Sequence, residues 1–248
     1  MTIKPYHNSE LSKKVQVKEM FDNISGSYDL LNHLLSFNID SIWRKNAIRR
    51  LAEFRPSTVL DIAAGTADFA IAAGKIHPHR IIGIDISEKM LKVGEKKIQK
   101  KGLSSIIKLQ RADSEKMPFA NNTFDAAIVG FGVRNFENLN LGLSETFRVL
   151  NPGGTFVVLE FSLPKRLFFR HLYFFYLTVI LPLIGRVVSN DSRAYSYLPE
   201  SVREFPCGED FIALLKKAGF TGCEFFEQTF GIATIYLCHK PDNTELTQ

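Results

Sequence analysis

From residue 58 to residue 161, short β-branched runs alternate with longer segments whose apolar residues recur every three or four positions. The runs 58–62, 80–85, 106–109, 124–129 and 155–161 predict strands, and the segments 66–76, 87–101 and 139–150 predict helices. Strand and helix in alternation imply a doubly wound α/β fold, because right-handed crossovers cover both faces of a parallel sheet. Ligands of such sheets bind beyond the carboxyl ends of the strands. Upstream, residues 10–54 read as two helical stretches with a polar break at 23–28. Downstream, a helix at 208–217 precedes strand-like runs at 223–228 and 233–239, and the short turn between them, containing Gly231, favours an antiparallel pair. The segment 163–203 is too long for a simple connection and predicts an inserted cap. The chain therefore divides into a helical region covering the substrate site (1–54), a ligand-binding core (55–162), an apolar and aromatic cap (163–206), a helix and strand pair completing the core (207–240) and a disordered tail (241–248).

The 248 residues carry 45% hydrophobic and 23% charged side chains, which excludes a disordered, collagenous or coiled-coil chain. Cys207, Cys223 and Cys238 form no CxxC pair and have no histidine at ligand spacing, which argues against a disulfide framework and a structural zinc site. No metal is expected. The first twenty residues lack the apolar stretch of a secretory signal, so the expected location is the cytoplasm. A formal charge of +5 suits an anionic membrane surface or a nucleic acid alike. The aromatic residues are more selective: Phe168, Phe169, Tyr173, Phe174, Phe175 and Tyr176 fall within nine positions. The uncharged stretch 171–185 is apolar on all faces, shorter than the ~20 residues of a membrane span, and interrupted by Pro182. With Lys165, Arg166, Arg170 and Arg186 around it, peripheral contact with the inner face of the cytoplasmic membrane is the expectation; a dimer interface or a core helix are the other readings.

The first strand runs into Asp61-Ile62-Ala63-Ala64-Gly65-Thr66-Ala67-Asp68, where small residues let a ligand approach the backbone beside a helix amino terminus. Asp85 ends the second strand, twenty positions after Gly65, where a carboxylate can accept from both hydroxyls of a ribose. Asp113 closes the third strand, within reach of an adenine amino group. NAD and S-adenosylmethionine both fit an adenosine pocket. With one glycine in the turn and Asp61 beside it, pyrophosphate is disfavoured and a cationic methionine moiety is favoured.

At this point four blocks resemble class I S-adenosylmethionine-dependent methyltransferases and, more narrowly, the ubiquinone/menaquinone biosynthesis C-methyltransferases. They are Tyr28-Asp29-Leu30-Leu31-Asn32 with Leu35-Ser36 and Trp43-Arg44; Phe131-Gly132-Val133-Arg134-Asn135-Phe136; Arg148-Val149-Leu150 through Pro152-Gly153-Gly154 to Leu159-Glu160-Phe161-Ser162; and Tyr197-Leu198-Pro199-Glu200-Ser201-Val202-Arg203-Glu204-Phe205-Pro206. Leu31 stands where that family has Met, Asp40 where it has His, and Ala63 and Ala67 where glycine is commoner. The resemblance implies a mostly parallel, Rossmann-like sheet of seven strands with an antiparallel last strand. It implies S-adenosylmethionine as cofactor, with S-adenosylhomocysteine as product, contacted by Thr66, Asp85, Asp113 and Ser114, while Asp61 and Gly65 shape the methionine end. The implied acceptor is a prenylated hydroquinone, demethylmenaquinol or its ubiquinone-pathway counterpart. Ring-carbon methylation then needs a phenolate-like nucleophile, which Arg134 would stabilise, directly or through an activated water, while Asn135 orients a ring oxygen. The alternative for Arg134 is an ion pair with a carboxylate such as Glu160. Tyr195 and Tyr197 in the cap are the candidate quinol contacts. An RNA methyltransferase using the lysines of 89–101, and a non-catalytic scaffold binding through 168–176, remain competing readings, and a homo-oligomer is open.

Overall fold

The computed structural model describes residues 3–6, 9–26, 28, 38–180 and 193–242. Seven strands, β1 (Thr58–Ile62), β2 (Arg80–Asp85), β3 (Ile107–Arg111), β4 (Phe124–Gly130), β5 (Leu150–Phe161), β6 (Thr221–Gln228) and β7 (Ala233–His239), form one sheet in the order β3-β2-β1-β4-β5-β7-β6. The first five pair in parallel, and β7 runs antiparallel to both β5 and β6. Side chains alternate between two cores: Phe156 and Val158 of β5 face one with Leu60, Phe211 and Tyr236, while Val157 and Leu159 face the other with Val59, Trp43 and Phe69. Burial of apolar side chains on both faces is what the runs of Val, Ile and Leu encode.

The helices are α1 (Lys13–Ile24), α2 (Ile39–Ala52), α3 (Asp68–Ala73), α4 (Glu88–Lys100), α5 (Leu139–Val149), α6 (Leu167–Phe175), α7 (Arg193–Glu204) and α8 (Glu209–Lys217). α2 buries Trp43, Ala47, Ile48 and Leu51 at helical spacing against the sheet. α3 starts later than the pattern predicts, because Ala67 adopts a left-handed φ of 66°. β5 starts at Leu150 rather than 155: Gly153 donates to the Lys240 carbonyl and Lys240 donates to that of Gly154, so the diglycine continues the ladder as a bulge.

α1 lies across strand ends rather than on a sheet face. Ser12 caps it, accepting from the Val15 N–H, and Val17, Met20 and Ile24 pack with Tyr197 of α7. α6 continues as a π-helical turn, Tyr176–Ile180, and α7 packs against α1 and against the short 3-10 turn Val133–Asn135. The rest of the 171–185 stretch, the Asp29–Ser36 part of the first family block, the Tyr195 side chain and 243–248 of the expected tail lie outside the described residues. No helix among the described residues is long and apolar enough to cross a membrane.

Candidate cofactor and acceptor site

An open cavity lies where the strand order reverses between β1 and β4. Its floor is the turn after β1. Gly65 has a φ of 54°, and its N–H donates to Asp85 Oδ2 at 2.9 Å, which ties the turn to the tip of β2. On the opposite wall a Cβ at Gly132 would stand 2.7 Å from that of Ala63, so the loop after β4 closes on the turn only with glycine there. Asp85 Oδ1 accepts from the Ser87 N–H at 2.8 Å, and Ser87 in turn caps α4 by accepting from the Met90 N–H. Both expected roles at this tip coexist: Ser87 caps, and Asp85 faces the cavity. Burial pushes the Asp85 carboxyl up to about 6 despite these donors, with Asp22 adding to the rise.

α1 roofs the cavity with Lys14, Val17 and Phe21, and Tyr28 beyond the helix joins them. Polar contacts fasten it to successive strand ends. Lys13 Nζ donates to the carbonyls of Arg134 (2.9 Å) and Phe136 (2.8 Å) in the loop after β4. Lys14 pairs with Asp113 (2.7 Å) and Glu115 (3.1 Å) after β3, and Asp22 accepts from the Ser87 hydroxyl (2.6 Å) after β2. Burial, with Arg134 nearby, lowers the Lys13 ammonium to about 8.

Beyond Asn135 the character changes. Arg134 Nη1 pairs with Glu160 at 2.6 Å and donates to the Phe131 carbonyl at 2.5 Å, inside a nearly dry pocket where Arg134 is 9% and Glu160 0% exposed. This is the ion pair that the sequence offered as the alternative to a catalytic Arg134. It leaves Arg134 Nε, Asn135 Oδ1 and the hydroxyls of Tyr173 and Tyr197 buried without a hydrogen-bond partner among the described residues. A buried orphan of this kind costs about 1–3 kcal/mol.

Of the residues expected at the cofactor, Gly65, Asp85, Asp113 and Ser114 line the cavity, and so does Asn135. Asp61, Thr66 and Arg134 do not. Thr66 is buried and its hydroxyl accepts from Lys97 Nζ of α4 at 3.2 Å, because the left-handed residues on either side, Gly65 and Ala67, turn it away. Asp61 is fully buried and accepts from the Ala70 N–H at 2.9 Å, supplying to α3 the cap that Ala67 cannot. Burial pushes its carboxyl up to about 8, and its Oδ1 has no partner among the described residues. The sequence placed the helical region 1–54 over the substrate site but did not single out the residues that form the roof. Lys14, Val17 and Phe21 carried one signal, an apolar stripe on a helix whose partner was not identified.

This strand order, with the glycine turn and carboxylates at the reversal, defines the class I S-adenosylmethionine-dependent methyltransferase fold. The chain superposes on the [4+2]-cyclase SpnF with a TM-score of 0.66 at 15% identity, covering 93% of this chain and 97% of that one. It superposes on a possible histamine N-methyltransferase of Thermotoga maritima with a TM-score of 0.62 at 17% identity, covering 90% and 99%. The profile of the ubiE/COQ5 methyltransferase family matches residues 9–240, and the chain belongs to that family. It is 46% identical over 239 residues to the demethylmenaquinone methyltransferase of Bacteroides fragilis, covering 96% of this chain and 97% of the relative. Identity is 40% over 237 residues to the enzyme of the same name from Porphyromonas gingivalis, covering 95% and 96%. It is 42% over 230 residues to the ubiquinone/menaquinone biosynthesis C-methyltransferase UbiE of Geotalea daltonii, covering 92% and 97%. Family and fold class agree with the reading of the sequence blocks, and both imply S-adenosylmethionine as cofactor. The site suits that molecule in one testable respect: the carboxylates of Asp85 and Asp113 at the cavity wall match a ligand rich in hydroxyl and amino donors.

Proposed function

We propose that the protein methylates a ring carbon of a prenylated hydroquinone, converting demethylmenaquinol to menaquinol. The observation that carries this is the meeting of two environments at Asn135: it lines the cofactor cavity, and its orphaned Oδ1 belongs with the buried polar groups around Arg134. Asp85 would hold the ribose hydroxyls through the second lone pair of each carboxylate oxygen. Asp113 and Ser114 would face the adenine, and Gly65 would let the ligand approach the backbone. When bound, S-adenosylmethionine supplies an electrophilic methyl group. Arg134, its Nη1 anchored by Glu160, keeps Nε to stabilise a phenolate oxygen of the acceptor, and Asn135 orients a ring oxygen. Much of the acceleration then comes from holding the ring carbon at near-attack distance in a site that α1 and the cap close to water.

The regions 1–54 and 163–206 cover the acceptor, with 55–162 and 207–240 as the methyltransferase core. Tyr197 is the cap's acceptor contact; Tyr195 is a second candidate from the same helix. The enzyme works in the cytoplasm, peripherally on the membrane where its substrate resides. Leu167, Phe168, Phe175 and Val179 form an exposed apolar ridge, Phe168 being 75% exposed, with Arg166 and Arg170 beside it for anionic headgroups. Phe169 stacks on the exposed Phe230 at 4.5 Å and extends the ridge. Nucleic acid is not a partner in this reading: on α4, Lys92 pairs with Glu88, and Lys97 pairs with Asp68. The ubiquinone-pathway methylation is the second reading, favoured by the name of the Geotalea relative. Deleting the gene and analysing the lipid extract by mass spectrometry tests the proposal. A quinone lighter by one methyl group should accumulate, and its ring identifies the pathway; an unchanged quinone pool would refute both readings.

A further inference from the structure

The orphaned groups beside the Arg134–Glu160 pair form a set whose composition is informative. Tyr173, on α6, is 7% exposed, and Tyr197, on α7, is 3% exposed; neither hydroxyl has a partner among the described residues. Both phenols lie within electrostatic reach of Arg134 and Glu160, and α7 packs on the 3-10 turn that carries Arg134 and Asn135. The set therefore offers three donors, Tyr173 O–H, Tyr197 O–H and Arg134 Nε–H, against one unfilled acceptor, Asn135 Oδ1.

We infer that Tyr173 is a substrate-contacting residue which, with Tyr197 and Arg134, donates to one ring oxygen of the acceptor and thereby selects the reduced, singly deprotonated hydroquinone. The inference rests on the function proposed above. A hydroquinone monoanion carries one oxyanion that accepts several hydrogen bonds and one hydroxyl that donates to a single acceptor. An oxidised quinone has two acceptors and no donor, and would leave Asn135 Oδ1 unfilled in a buried site. Burial raises both phenols above their ordinary range, Tyr197 to about 12, so each stays protonated and acts as a donor rather than a base. The aromatic density of 168–176 pointed to an apolar partner without distinguishing its members; Tyr173 stands apart as the one whose polar end is buried and unfilled.

The test compares the wild type with Tyr173→Phe and Tyr173→Phe/Tyr197→Phe. The probe is demethylmenaquinone with a short prenyl tail, reduced with dithionite under anaerobic conditions. Calorimetry of S-adenosylhomocysteine binding and thermal melting serve as controls. Tyr173→Phe should raise KM for the quinol about tenfold, the loss of one hydrogen bond to a charged oxygen. The inflection of the kcat pH profile should move to higher pH, since a phenolate with fewer donors forms less readily. Affinity for S-adenosylhomocysteine and the melting temperature should hold. Unchanged KM and pH inflection in both variants would overturn the inference, and so would a Tyr173→Phe protein that fails to fold, because the hydroxyl would then have had a structural partner. A wild type that methylates none of these quinols would instead sink the proposed function, so the two failures are distinct.

Discussion

Replacing Asp85 by Asn separates folding from cofactor binding at the tip of β2. Both carboxylate oxygens already accept a backbone N–H, from Gly65 and Ser87. The side-chain amide of Asn must turn its NH₂ toward one of these donors and leave that N–H unfilled, at about 1–3 kcal/mol. Against this, burial raises the Asp85 carboxyl from 3.8 to about 6, which at pH 7 corresponds to about 3 kcal/mol of stability withheld by the ionised group. Asn removes that penalty. The opposing effects nearly cancel, so the melting temperature should shift by no more than a few degrees. Cofactor binding has no such compensation. Exchanging charge-assisted acceptors for one neutral oxygen should cost about 2–3 kcal/mol, a Kd for S-adenosylhomocysteine raised about 30- to 150-fold by calorimetry. The pH dependence has a fixed sign. Because the folded value lies above the unfolded one, protonation from above pH 6 to below 3.8 favours the fold through this group while weakening binding. Wild-type affinity should therefore decline below about pH 6, and the variant should lose that inflection. Wild-type affinity in Asp85→Asn, or a wild-type affinity flat from pH 8 to 5, would refute the ribose role.

Other outcomes follow from the same geometry. Lys14→Ala removes a half-exposed link between roof and strand tips worth about 0.2–1 kcal/mol, so rapid-mixing displacement should show S-adenosylhomocysteine leaving up to about fivefold faster, with little change in melting temperature. Glu160→Ala strands Arg134 in a dry pocket and should cost about 3–5 kcal/mol in denaturant unfolding; a loss under 1 kcal/mol would mean that water reaches the pair. Phe168→Glu places a charge on the exposed ridge and should abolish co-sedimentation with anionic vesicles at low salt while leaving cofactor affinity intact; undiminished sedimentation would exclude this ridge as the lipid contact.

The strands were the most legible part of the chain. β1, β2 and β7 coincide with their β-branched runs, because strands buried on both faces leave little room for polar residues. β3 extends past its apolar run to Gln110 and Arg111, which an edge strand tolerates with their side chains exposed. Asp85 was readable because it follows the last apolar residue of β2, and Asp113 because it lies just beyond the end of β3. That 1–54 covers the site was expected, but its contacts were not legible: Lys14 meets Asp113 across 99 positions of sequence, and no local pattern encodes that pairing. The side-chain directions of Asp61 and Thr66 were equally out of reach. Asp61 sits within β1 and accepts from α3, while left-handed residues on either side of Thr66 turn its hydroxyl to α4. Arg134 carried two readings in sequence; the structure forms the ion pair with Glu160, and Nε has no hydrogen-bond partner among the described residues.

α6 and the π-helical turn that continues it hold Tyr173 inward and Phe168, Phe175 and Val179 outward on one short cylinder. If lipid covers the outer side, any rotation or tilt that the bilayer imposes on this cylinder is delivered to the phenol on its inner side. Turnover in detergent-free buffer and turnover on vesicles would then differ in rate even for an acceptor too short to need a membrane, and the bilayer would act as an activator of the enzyme as well as the reservoir of its substrate.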